Sequence, residues 1–134
     1  MRGSIILTFF LLIATISLMS FQAQKFDLKA SVERGKEVYD VHCITCHMEK
    51  GEGLEGVYPP VAKADYLMAD KPRSIQQIIK GASGEMTVNG KTYSGEMPAV
   101  DLTDEQVSDV LNYVRNSWGN KGGAVTPAEV KAQR

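Results

Sequence analysis

The stretch Cys43-Ile44-Thr45-Cys46-His47 decides how the rest of the chain is read. Two cysteines three positions apart lie on the same side of one helical turn, so both sulfurs can form thioethers to the vinyl groups of a single haem. The next residue, His47, is then carried beneath the iron, where its imidazole can serve as an axial ligand. Three other readings of these residues are weaker. A disulfide suits an exported protein, but two intervening residues close a loop too short to constrain the unfolded chain much. A thioredoxin-like dithiol, the leading alternative, wants a βαβ context, whereas this sequence reads as helices and loops. Zinc needs four ligands, and after Cys43, Cys46 and His47 only His42 is left, on the segment before the pair.

The chain around this motif has 134 residues, enough for one small domain and too few for a multidomain enzyme. Lys plus Arg number 15 against 16 Asp plus Glu, a formal net charge of -1. That balance leaves no basic excess to hold a phosphate backbone, so nucleic acid is not an expected partner. Hydrophobic residues make up 43%, but aromatics only 7%, thin for a small domain that must offset chain entropy by burial. A covalently attached porphyrin would fill the interior that side chains do not.

Residues 1–23 read as an export signal, with Arg2 as the positive end, an apolar run from Ile5 to Met19, and Ser20 to Ala23 before the cut. Phe21 stands three residues before that cut, where a small residue is favoured. The same segment carries no charge from Gly3 to Gln24, which makes an N-terminal membrane anchor the alternative. Cleavage takes 23 of the 134 residues and leaves 111, residues 24–134; loss of Arg2 leaves 14 basic against 16 acidic groups, a net charge of -2. Either way the globular part is expected outside the cytoplasm.

Val32, Val38, Tyr39 and His42 recur among charged residues from Ser31 to His42, a spacing that predicts an amphipathic helix running into the cysteine pair. Gly51 to Pro60, G-E-G-L-E-G-V-Y-P-P, is a loop. Ser74 to Lys80 predicts a short helix ending near Gly81, and Asn89-Gly90 within Thr87 to Tyr93 a two-residue hairpin. Ser94 to Val100 follows as a non-periodic loop. A helix of about four turns is expected from Asp104 to Trp118, capped by Thr103 with Gln106 reaching back. Val107, Val110, Leu111, Val114 and Trp118 form its apolar stripe with Tyr113 beside them. Gly119 to Gly123 stops it, and Thr126-Pro127-Ala128-Glu129 predicts a short helix in a C-terminal tail from 119.

Read in order, these features resemble small single-haem bacterial cytochromes c with His and Met axial ligands, over roughly Val32 to Trp118. The resemblance rests on the helix with Gly35 and Tyr39, the C-I-T-C-H site, the loop ending V-Y-P-P-V, and S-G-E-M-P-A-V ahead of V-L-N-Y-V. It implies an all-α cytochrome c fold in residues 24–134: three to five helices around a covalently bound haem, with a small β-hairpin on the distal side. It also implies that Pro59, or Pro60, presents its carbonyl to the far nitrogen of His47, fixing the ring and raising its basicity. The first helix would cross the last, with Gly35 allowing close approach and Tyr39 packing near Val110 and Tyr113. The hairpin V-N-G-K-T-Y departs from the mitochondrial-type pattern and looks like the variant in bacterial cytochrome domains that serve dehydrogenases, reductases and oxidases.

The sixth ligand is sought among Met48, Met68, Met86 and Met97. Met48 follows His47 directly and cannot reach the opposite face of a haem. Met68, in Y-L-M-A-D, suits apolar packing. Met86 and Met97 each sit in a Gly-Glu-Met triplet, but Met97 precedes Pro98, whose fixed φ stiffens the loop. It also lies just before the last helix, where the resembling family places its ligand, so Met97 is expected and Met86 is the alternative. His42 reads as a part-exposed side chain or propionate neighbour, and Glu49, Glu52 and Glu55 as a solvated loop face.

The expected protein is a periplasmic one-electron carrier, monomeric and not an enzyme, with one haem c held by Cys43 and Cys46, cycling between Fe(II) and Fe(III). Its expected partners are redox proteins: a membrane oxidase, or a periplasmic reductase or dehydrogenase, meeting it over the haem edge. One alternative is a membrane-anchored or tethered cytochrome subunit of such a complex. Another is a five-coordinate haem protein, a peroxidase or gas binder, against which the lack of a distal His or Arg next to Met97 counts.

Overall fold

Short polar caps start each main helix, and glycine or asparagine ends most of them. In the computed structural model, which describes residues 25–134, α1 spans Leu28–His42 and α2 Ile44–His47. After them come α3 (Asp65–Ala69), α4 (Lys71–Lys80), the strands β1 (Met86–Val88) and β2 (Lys91–Tyr93), α5 (Asp104–Arg115) and α6 (Pro127–Lys131). The segment 1–23, read as a signal or anchor, lies outside the described residues. Within them no helix is long and apolar enough to cross a membrane.

The Asp27 carboxylate accepts the Ala30 N–H at 3.1 Å, so α1 begins a turn before Ser31. Asp70 caps α4 in the same way, through Arg73 N–H, with Pro72 in the first turn. That turn, Lys71-Pro72-Arg73, carries no apolar stripe, which is why periodicity placed the start only at Ser74. The hairpin is as expected: β1 and β2 pair antiparallel, and Asn89 and Gly90 turn the chain at φ 50° and 77°. Thr103 and Gln106 form the expected capping box on α5. That helix ends at Arg115, three residues short of the expected Trp118, which sits at φ 52° and turns back onto the aromatic core. With the one-turn segments α2, α3 and α6 included, the described residues hold six helical segments where three to five were expected.

The crossing of α1 over α5 organises the interior. Gly35 is its point of closest approach: a Cβ there would lie 1.9 Å from the Asp109 carbonyl oxygen. Beside it the buried Asp109 carboxylate accepts Ser31 Oγ–H at 2.5 Å and the Arg34 guanidinium at 2.7 and 2.8 Å. Tyr39, Tyr113 and Trp118 close one end of the crossing as a triangle of rings with centroids 5.2 to 5.4 Å apart.

Residues from 119 onward, the expected short C-terminal tail, return across α5 and contribute to the core. Val125 and Val130 are fully buried. Val125 exchanges hydrogen bonds with the Asn112 side chain, its N–H donating at 2.7 Å and its carbonyl accepting at 2.8 Å. Lys71 on α4 donates to the Ala124 carbonyl and to Glu129, tying the same segment to a second helix.

Candidate functional site

Two apolar clusters, one built on α1 and α5 and one on Ala64, Val88 and Tyr93, face each other across a cleft. The cleft encloses about 1070 Å³, part of it open to solvent.

One wall carries the motif. The chain leaves α1 at Cys43, whose carbonyl accepts the N–H groups of Cys46 and His47 at 3.2 and 2.9 Å, so C-I-T-C-H forms the single turn of α2. Cys43, Cys46 and His47 all line the cleft. Past His47, Met48 turns away at φ 62°, and its carbonyl accepts the Tyr39 hydroxyl at 2.7 Å. Burial and the neighbouring Cys46 push the Cys43 thiol up to about 11. Both cysteines are free thiols, so the disulfide reading does not describe this structure.

His47 Nδ1 lies 3.0 Å from the Pro59 carbonyl oxygen. A carbonyl only accepts, so Nδ1 carries the proton and Nε2 keeps its lone pair. Burial holds the imidazole below its ordinary range, an effect the Pro59 contact partly offsets. The result is a neutral, oriented ring with one free donor nitrogen, which is the form a metal takes up. Of the two candidate prolines, Pro59 makes this contact.

The facing wall comes from the β-ribbon and the loop beyond it. Met86 and Met97 both line the cleft. Met97 pairs with Ala82 through two backbone bonds, Ala82 N–H to Met97 O at 2.9 Å and Met97 N–H to Ala82 O at 2.8 Å. This pair continues the register that sets Met86 opposite Tyr93, four positions further along each arm. Met86 therefore sits on β1 and Met97 in the loop beyond β2. Met48 and Met68 do not line the cleft, and His42 is exposed, as are Glu49, Glu52 and Glu55. Among the described residues no three His, Cys, Asp or Glu side chains are placed to hold a metal by themselves, which leaves the zinc reading without support. Sequence reasoning did not single out Gly81 and Ala82; Gly81 read only as a helix stop.

A mostly helical shell around an apolar cleft, with two thiols and a neutral imidazole on one wall and thioethers on another, defines a protein built to hold a flat, apolar, iron-bearing cofactor. The family pattern described as "Cytochrome c" matches residues 32–118, and the chain belongs to the cytochrome c family of electron-transfer proteins. Membership implies a covalently bound c-type haem, and the free cysteine pair and oriented imidazole on the cleft wall fit that group.

The chain is 33% identical over 91 residues to cytochrome c-552 of Thermus thermophilus, covering 64% of this chain and 69% of that protein. It is 30% identical over 103 residues to the cytochrome c subunit of alcohol dehydrogenase (quinone) of Gluconobacter oxydans strain 621H, covering 75% of this chain. It is also 32% identical over 98 residues to the cbb3-type cytochrome c oxidase subunit CcoP of Azospirillum brasilense, covering 69% of this chain. The match spans only 22% of the dehydrogenase subunit and 30% of the oxidase subunit.

Proposed function

We propose that the chain is a one-electron carrier with a single haem, attached through thioethers at Cys43 and Cys46 and ligated by His47 and Met97. The haem, when bound, supplies the one-electron couple between Fe(II) and Fe(III). The residues supply the rest. Pro59 holds the His47 ring in one tautomer and orientation, so the nitrogen presented to the cleft does not have to be reorganised. A Met thioether favours the ferrous form and so raises the potential. The apolar wall made by Val110, Leu111 and Val114 keeps water from that site and acts in the same direction. Two protein ligands leave no position for substrate, which separates a carrier from a peroxidase or gas binder.

The observation that carries this reading is the pairing of His47 with Pro59 on a cleft that the two cysteines and Met97 also line. The test is spectroscopic. The oxidised holoprotein should show the weak far-red sulfur-to-iron band, and the reduced form should bind carbon monoxide only slowly. Met97→Ala should abolish the band and open the iron to carbon monoxide, whereas Met86→Ala should leave both unchanged. Rapid carbon monoxide binding by the unmodified protein at neutral pH refutes the carrier reading.

We further propose that residues 1–23 direct export and are removed, placing a carrier of net charge -2 in the periplasm as a monomer. A start at Gln24 in the mature protein supports that; an intact Met1 end supports an anchored form. The names of the dehydrogenase and oxidase relatives support redox proteins as partners. They also keep the tethered-subunit reading in view, because in those relatives the matched region is one part of a longer chain. Reconstitution of electron transfer with a quinone-linked dehydrogenase and with a terminal oxidase, each with the exported form alone, separates shuttle from subunit.

A further inference from the structure

We infer that the Gly81–Ala82 backbone is the positioning element for the Met97 thioether. This rests on Met97 being the sixth ligand. A thioether is a weak neutral donor, so its hold on iron depends on how rigidly the loop presents it. The loop is fastened at both ends to the C-terminus of α4. At one end Ala82 and Met97 exchange two hydrogen bonds, and at the other the Val100 N–H donates to the Ile78 carbonyl at 2.9 Å. Between these anchors Pro98 has its φ locked by the ring. The helix that bears the anchors is itself held, by the Asp70 cap at its start and by Lys71 to Ala124 and Glu129.

Gly81 makes the arrangement possible. It ends α4 at φ +80°, in the region that side chains rarely adopt. A Cβ there would stand 2.6 Å from the Met97 carbonyl oxygen and 3.0 Å from the Ala99 nitrogen. Both atoms are backbone and cannot rotate away, so a side chain at 81 pushes directly on the residue that carries the sulfur. Met86 has no such fastening to α4. Near it, Gly84 also has a positive φ, +85°, but nothing lies within 4 Å of a Cβ built there. Gly81 and Gly84 thus both sit at positive φ, with contact to the Met97 backbone at Gly81 alone of the two.

The experiment compares the haem-loaded proteins carrying Gly81→Ala, Gly81→Asn and Gly84→Ala with the unmodified protein. The readouts are the far-red band, the reduction potential, the rate of carbon monoxide binding to the reduced form and urea stability. Gly81→Asn repeats the push on the Met97 backbone with a second side chain, and urea stability reports whether each variant is folded. Both Gly81 variants should lose most of the band, shift the potential downward and bind carbon monoxide about 10-fold faster or more. Gly84→Ala, which also places a side chain at positive φ, should lose stability yet keep the band. A band in the unmodified protein that survives both Gly81 substitutions overturns the inference alone. A band lost in Gly84→Ala but kept in the Gly81 variants overturns it in favour of a ligand held by the hairpin. An unmodified holoprotein with no band at all overturns the Met97 assignment itself.

Discussion

Gly35→Ala is the sharpest test of the crossing on which the cleft depends. Ordinary contact begins near 3.4 Å, and the new Cβ would lie 1.9 Å from the Asp109 carbonyl oxygen, so α1 and α5 must separate by about 1.5 Å. The clash is with the Asp109 backbone, which cannot rotate away, and Tyr113 Cβ at 2.8 Å blocks escape along the groove. In a helix interior the substitution by itself is favourable by roughly 0.5–1 kcal/mol. Overpacking of a tight interface costs ~1–3 kcal/mol. A gap of that size also forfeits much of the dispersion across the interface, and it loosens the bonds from Ser31 and Arg34 to the buried Asp109. Loss of a charged group's buried partner adds about 1.5–3 kcal/mol. The balance is a net destabilisation of at least about 2 kcal/mol, or roughly 8 °C in Tm. Urea and thermal unfolding of the holoprotein, followed by far-ultraviolet circular dichroism, measure it. A Gly35→Ala protein as stable as the parent would show that helix propensity outweighs the close approach, and the account of the crossing would fail.

Two further outcomes follow from the segment that folds back over α5. Asn112→Ala removes two bonds the amide donates, to Ser31 and Val125, and one it accepts from the Val125 N–H, which is left buried without a partner; urea unfolding should show a loss of about 2–4 kcal/mol. Glu129 is held below its ordinary carboxylate value of 4.5 chiefly by the Lys71 ammonium, helped by Thr126. A depressed folded value means that its contribution to stability is present above pH 4.5 and is lost as pH falls through the folded value. The acid limb of the urea midpoint against pH should therefore be shallower in Glu129→Gln, and the effect is small because the pair is partly exposed. An unchanged limb would mean that the ion pair does not fasten the C-terminal segment.

The motif C-I-T-C-H, the Asn89-Gly90 turn and the two capping boxes were legible because each is a local rule: its physics is complete within about five residues. The helix stripe of α5 was legible for the same reason, up to its end. Trp118 was misplaced on that helix because at φ 52° it leaves the helix to pack on Tyr113 and on Tyr39, which is distant in sequence. The start of α4 was missed because its first turn carries a cap and a proline but no apolar residue. The C-terminal segment read as a short tail because Val125 and Val130 are isolated apolar residues among polar ones. Their burial depends on Ser108 and Asn112, which present hydrogen-bonding groups to the backbone of the returning segment.

The sequence alone determined the cysteine pair and histidine on one helical turn, the low aromatic content and the near-neutral charge. Each follows from residue type and spacing, which act over short range. Tertiary structure decided which proline carbonyl meets His47 and that Gly81 and Ala82 clasp the Met97 backbone. Those are contacts between segments separated by twelve or more residues. Their geometry is set by how α1, α4 and α5 bury their apolar faces together, and no local pattern contains it.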